Sequence, residues 1–190
     1  MKWLDNLKTS TKLIGGFGAV VVLMIVIIVM GYMGLNTMRE SIHSMYFDRL
    51  VPIEQLGNVS TDLYTIRGDV YKLLLIPEEK EKSLASIPKL IKNIDDNIAA
   101  YETTVLVDEE VAELAVFKPA WEEYQAAIAE ILAWEAAGEP EKAIASLVDG
   151  QRASNARKAV GGSAQNLEAI NVRVAEESEI QAQKTFASSR

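Results

Sequence analysis

The chain has 190 residues, 49% of them hydrophobic, with 19 basic and 27 acidic side chains and a formal charge of −8. That length holds one domain with its own core plus a membrane segment, and leaves little room for a two-domain globular enzyme. An acidic surface argues against nucleic-acid binding, which needs a basic stripe, and the absence of cysteine excludes disulfides and thiolate metal sites.

Residues 1–12 read as a cytoplasmic tail and residues 13–34 as a transmembrane helix. Leu13 through Met38 carry no charge, and at about 1.5 Å rise per residue such a run exceeds the roughly 30 Å hydrocarbon core of a bilayer. A cleaved secretory signal would be shorter and would end in a small-residue cleavage motif. Here the run finishes Gly31-Tyr32-Met33-Gly34-Leu35, so the segment is read as an uncleaved anchor. Lys2, Lys8 and Lys12 precede it with Asp5 the only acid; positive flanks stay inside, which exports the remainder of the chain. Gly15 and Ala19 offer a small-residue surface on which two such spans can pack.

Residues 35–190 predict an all-α domain, an antiparallel up-down-up-down four-helix bundle. In the first bundle helix Leu35, Ile42, Leu56, Leu63 and Val70 form one apolar row and Met38, Met45, Val59, Ile66 and Leu73 the other, the alternation of three and four that marks one helix face. Both rows break at Arg49 and Pro52, which predicts a kink or a short non-helical join. The helix ends near Ile76-Pro77. Pro77-Glu78-Glu79 opens the second, with proline and carboxylates suited to a first turn; its stripe runs Leu84, Ile87, Ile91, Ile94, Ile98, Tyr101 and Val105. Pro88 inside it predicts a separate first turn or a bend.

The third helix begins at the acidic turn Asp108-Glu109-Glu110 and carries Leu114, Phe117, Trp121, Tyr124, Ile128 and Ile131. Ala137-Gly138-Glu139-Pro140 stops it, glycine capping and proline blocking continuation. The fourth, read as one helix from Glu141 to Arg190, sets Leu147, Val160, Ala164, Leu167, Val174 and Ile180 among small and polar residues. Gly161-Gly162 weakens it locally.

Little here suits catalysis, and the domain reads as a non-enzyme without cofactor or metal. His43 is the sole histidine and has nothing to complete a metal site. Glu122-Glu123 and Glu176-Glu177 are neighbours in sequence, so on a helix they diverge. The stripe Phe117, Trp121, Tyr124 is read as core. The scarce basic residues carry more information: Arg67 and Lys72 precede the Pro77 turn and Arg152 and Arg157 follow the Pro140 turn, at heights far from the membrane. Arg67 and Arg152 are the preferred pair for a small carboxylate-like anion, because guanidinium grips carboxylates with two parallel hydrogen bonds.

The opening Lys2-Trp3-Leu4-Asp5-Asn6-Leu7-Lys8-Thr9-Ser10-Thr11-Lys12-Leu13-Ile14-Gly15-Gly16-Phe17 resembles the start of methyl-accepting chemotaxis receptors with a four-helix-bundle sensor. Leu50-Val51-Pro52-Ile53 ahead of Ile66-Arg67, and Gly138-Glu139-Pro140-Glu141-Lys142-Ala143, extend the resemblance along the chain. It implies a homodimeric inner-membrane receptor with a periplasmic sensor, a second span after Arg190, a HAMP relay and a cytoplasmic module controlling a histidine kinase, although the same sensor type also precedes histidine kinases and cyclic-dinucleotide enzymes. The alternative reading of the chain is a single-span structural or partner-binding helical stalk without a small-molecule ligand. The resemblance also implies that arginines of the first helix, assisted by the start of the last, hold a ligand at the dimer interface; a ligand-loaded binding protein is the alternative partner. Arg67 matches the first such position and Lys72 approximates a second; Ile76 stands at a third.

Overall fold

The computed structural model describes residues 8–188. Residues 1–7, with Lys2, Asp5 and much of the opening segment, and residues 189–190 lie outside the described residues. The chain divides into two compact units, Met1–Ser44 and Met45–Arg190.

The first unit holds helix α1, Thr9–Met45, save its last residue; no residue of α1 is buried. Leu35, Met38 and Ile42, the beginning of the predicted apolar rows, are 70%, 61% and 61% exposed. A helix apolar on every side and buried against no protein suits a hydrocarbon solvent. The helical stretch that begins here is the one among the described residues long and apolar enough to cross a membrane.

The second unit opens on a π-helical turn, Tyr46–Leu50, followed by α2, Val51–Leu75. Of the two expectations for the join, a kink or a short non-helical link, the second does not hold: Met45 and Val51, on either side of it, both have right-handed α dihedrals. Pro52 therefore stands inside a continuous helical run, separated from the π turn by Val51 alone; its ring and missing N–H interrupt the α-helical ladder there, and the wider turn takes up a residue. Arg49 lies within that turn and is buried.

Helix α2 buries Leu56, Val59, Leu63, Ile66, Val70 and Leu73, the continuation of both rows. Ile76 is extended, and a 3-10 turn, Pro77–Glu79, leads into α3, Lys80–Tyr101. This helix runs through Pro88 without a separate first turn. Pro88 is exposed and Leu84, whose carbonyl would have bonded its N–H, is 42% exposed, so the break in the ladder falls on the helix's solvent side, where an orphaned oxygen costs least. Val105, predicted on the stripe, falls in the loop after α3 and is exposed. Helix α4, Asp108–Ala136, buries its whole predicted stripe from Leu114 to Ile131 and ends at Gly138, whose φ of 74° is the left-handed cap that glycine supplies.

The segment predicted as one fourth helix is two. Helix α5, Pro140–Leu147, stops where Val148 turns extended, and α6, Arg152–Ser188, begins after Gly150 at φ 85°. That backbone favours glycine, and the Asp149 carboxylate accepts a hydrogen bond from the Gly150 amide at 3.1 Å. Helix α6 continues through Gly161-Gly162.

Helices α2, α3, α4 and α6 form the bundle, α2 packing on α3 and α6, and α4 on α6 and α5. Leu56, Ile66, Ile87, Ile94, Phe117 and Ile128 fill the core, whereas α6 supplies Ala153, Ala156, Val160, Ala164 and Leu167. Burying a Leu or Ile side chain is worth about 1.5–3 kcal/mol, and an alanine methyl much less, so α6 is held by less apolar burial per turn than its neighbours.

Candidate functional site

At the level of Arg67 an open pocket of about 330 Å³ lies among α2, α4 and the start of α6. Val70, Ile128, Ile131, Leu147 and Ala153 give it apolar walls; Arg67, Tyr71, Tyr124, Asp149, Arg157 and Lys158 bring polar groups. The Arg67 guanidinium stands 5.7 Å from the centre of the Tyr71 ring one turn on, a cation–π contact. Tyr124 is 3% exposed. Burial pushes its phenol up to about 12, against the opposing pull of Arg157 and Arg67, so it stays protonated and able to donate. No hydrogen bond engages its hydroxyl among the described residues. Asp149 is already occupied: it pairs with Lys158 and accepts from the Gly150 amide, and the Lys158 ammonium holds its carboxyl below the usual range.

The bundle's other arginines show how unusual Arg67 and Arg157 are. Arg49 meets Glu110, Arg152 meets Glu123 and Glu130, and Arg173 meets Glu109 and Glu177. Arg67 and Arg157 have no carboxylate at ion-pair distance among the described residues, in a chain with an excess of acids. Both face this pocket.

Of the four basic residues singled out by sequence, the pocket gathers Arg67 and Arg157. Arg152 turns to α4, its Nε 2.7 Å from Glu123 and its Nη1 2.8 Å from Glu130, so two acids occupy its fork and its pKa is raised by them. Lys72 pairs with Asp69 at 3.1 Å. Height along a helix does not fix direction: the five residues from Arg152 to Arg157 turn the side chain by roughly 140° at 3.6 residues per turn. Tyr71, Tyr124 and Lys158 were not singled out as site residues. Arg67 and Tyr71 at i and i+4 were a legible pair, and Asp149-Gly150 a legible turn.

A second depression of about 200 Å³ shares Arg157 and Lys158 and includes Tyr64, Gly161 and Gly162. A third, of about 180 Å³, shares Tyr71 and Leu147 and is completed by Leu74, Leu75, Ile144 and Val148. Among the described residues no three His, Asp or Glu side chains gather into a metal-binding group.

A family model described as a four helix bundle sensory module for signal transduction matches residues 6–186, nearly the whole chain. The chain belongs to this family, the sensory module of methyl-accepting chemotaxis proteins. No curated protein matches it by sequence. The family is a signalling module rather than a catalytic domain.

This sensory module also contains a buried polar cluster that sequence reading missed. Glu110 is fully buried; its carboxylate accepts from the Tyr101 hydroxyl at 2.7 Å, from the Val107 amide at 2.7 Å and from Arg49 Nη1 at 3.3 Å. Asn171 Nδ2 donates to the Tyr101 oxygen at 2.8 Å. The cluster thus ties the π turn, the end of α3, the start of α4 and the middle of α6. Burial first, then the Glu110 carboxylate, push the Tyr101 phenol well above its ordinary value.

Proposed function

We propose that the module is the extracytoplasmic ligand sensor of an inner-membrane chemoreceptor. It binds a small carboxylate-like anion between Arg67 and Arg157 and passes a displacement of its last helix to a cytoplasmic module that controls a histidine kinase. The observation that carries this reading is the pair of arginines facing one pocket, neither with a carboxylate at ion-pair distance among the described residues. Guanidinium groups in a concave surface bind carboxylates through charge-assisted hydrogen bonds, and Tyr124 adds a neutral donor.

The two cations stand on different helices, Arg67 on α2 and Arg157 on α6. An anion bridging them favours one relative placement of those helices, which is the difference in affinity between two states that any ligand-driven change requires. The small-residue face of α6 supports this, since it is the bundle helix with the least apolar burial opposing a shift. The receptor works as a homodimer in this reading, with α1 as its anchor.

Calorimetric titration of the full chain in lipid nanodiscs with a panel of organic acids tests the proposal. Arg67→Ala or Arg157→Ala should each weaken a binder by about 1.5–3 kcal/mol, the worth of a charge-assisted hydrogen bond. Unchanged affinity in both would return the arginines to ordinary surface charges. A response seen only with a periplasmic binding protein present would move recognition to the bundle's outer face.

A further inference from the structure

Resting on the reading of the Arg67–Arg157 pocket as an anion site, we infer that its ligand is an amphipathic monocarboxylate without an ammonium group, whose aryl or alkyl tail lies in the groove between α2 and α5. The head is set by the two arginines with no acid partner and by Tyr124, a buried phenol without a hydrogen bond among the described residues. The rest of the ligand is constrained by what surrounds them.

Tyr71 and Leu147 line both this pocket and the neighbouring groove of about 180 Å³, where the remaining lining is Leu74, Leu75, Ile144 and Val148. Leu75 is 62% exposed, Val148 56% and Ile144 41%, so the groove presents apolar surface that a hydrocarbon tail would cover. No cation lines this groove, so the second carboxylate of a short diacid would be stranded there. An amino acid fares no better at the head. The pocket's one carboxylate, Asp149, is held by Lys158 and the Gly150 amide, so an α-ammonium group brought between Arg67 and Arg157 would meet like charge and no free acceptor acid. A head of single negative charge followed by hydrocarbon suits both the arginine pocket and the apolar groove that adjoins it at Tyr71 and Leu147. Each methylene moved from water into the groove is worth up to about a fourfold gain in affinity.

Phenylpropionate, propionate and phenylalanine separate these requirements, because the first differs from the second by its ring and from the third by the ammonium group. They are titrated into the full chain in nanodiscs, with empty nanodiscs subtracting partition into lipid. Phenylpropionate should bind about tenfold or more tightly than either of the others. Leu75→Asp or Ile144→Asp, placed at exposed positions the fold tolerates, should erase its advantage over propionate and leave propionate binding in place. Arg157→Ala should weaken both acids together. Equal affinities for phenylpropionate and propionate, a preference for phenylalanine, or a preference that survives both aspartate variants would overturn the tail assignment while leaving the anion site standing. Failure of every acid to bind would remove both.

Discussion

Two arginine–tyrosine clusters occupy this bundle, and they are finished in opposite ways. Around Arg49 the guanidinium, the Tyr101 hydroxyl, an amide and Asn171 converge on or near one fully buried carboxylate. Around Arg67, eighteen residues along and roughly 27 Å away at helical rise, two guanidiniums and the Tyr124 hydroxyl open onto a pocket whose single acid is already engaged. The residue types are nearly the same. What differs is whether the protein supplies the acceptor: Arg67 is exposed, Arg157 half-buried and Tyr124 buried, and a convergent donor set left without an acceptor is where a ligand completes the structure.

The contrast breaks most sharply at Glu110. Replacing it with Leu strands a buried arginine, a tyrosine hydroxyl and the Val107 amide, so unfolding followed by circular dichroism should show a loss of about 3–5 kcal/mol; a near-normal transition would mean that the cluster is not a structural clamp. At the open cluster the effect should fall on binding instead: Arg157→Ala should lose about 1.5–3 kcal/mol of ligand affinity with stability changed by no more than about 0.5 kcal/mol. If stability falls as far as it does for Glu110, the two clusters are of one kind.

Tyr101→Phe is smaller, about 1–2 kcal/mol at neutral pH, and it has a pH signature. In the unfolded chain the phenol ionises near pH 10, whereas the folded value is raised. The stability it contributes is therefore complete below about pH 10 and is lost as pH rises toward the folded pKa, by up to about 1.4 kcal/mol per pH unit. Tyr124, raised to about 12, adds a second such slope, so Tyr101→Phe should flatten the alkaline fall of the unfolding midpoint without abolishing it. The smallest effect belongs to Arg152→Ala. Its fork is occupied by Glu123 and Glu130 on the surface, and neither affinity nor melting temperature should move measurably; a clear loss of affinity would restore the sequence-based pairing with Arg67.

Where the residue pattern is local, the fold could be read from it. The stripes of α2 and α4, the stop at Ile76-Pro77 and the Gly138 cap follow from three-and-four spacing and from glycine and proline chemistry. The Arg49 cluster follows from neither. Its partners Glu110 and Asn171 come from other helices, and Glu110 also reads plausibly as a first-turn carboxylate favoured by the helix dipole; it plays that part too, by accepting from the Val107 amide. The break in the apolar rows was visible, but proline accounted for it only in part, since the buried arginine is what the π turn accommodates. The site was half legible. Charge scarcity singled out Arg67 and Arg157, whereas the exclusion of Arg152 depends on the phase at which α6 restarts, and that phase is set by the turn at Gly150.

That turn has a further consequence for α5. With eight residues it is far below the length at which a helix holds itself in water, and it is bounded by two glycines at positive φ. Its hydrogen bonds therefore persist only while Ala143 and Ser146 stay docked. Its amides should exchange with solvent deuterium much faster than those of α4 or α2, through a local opening well below the global unfolding free energy. Because α5 forms one wall of the groove, the exchange rate of those amides reads out whether the groove is filled.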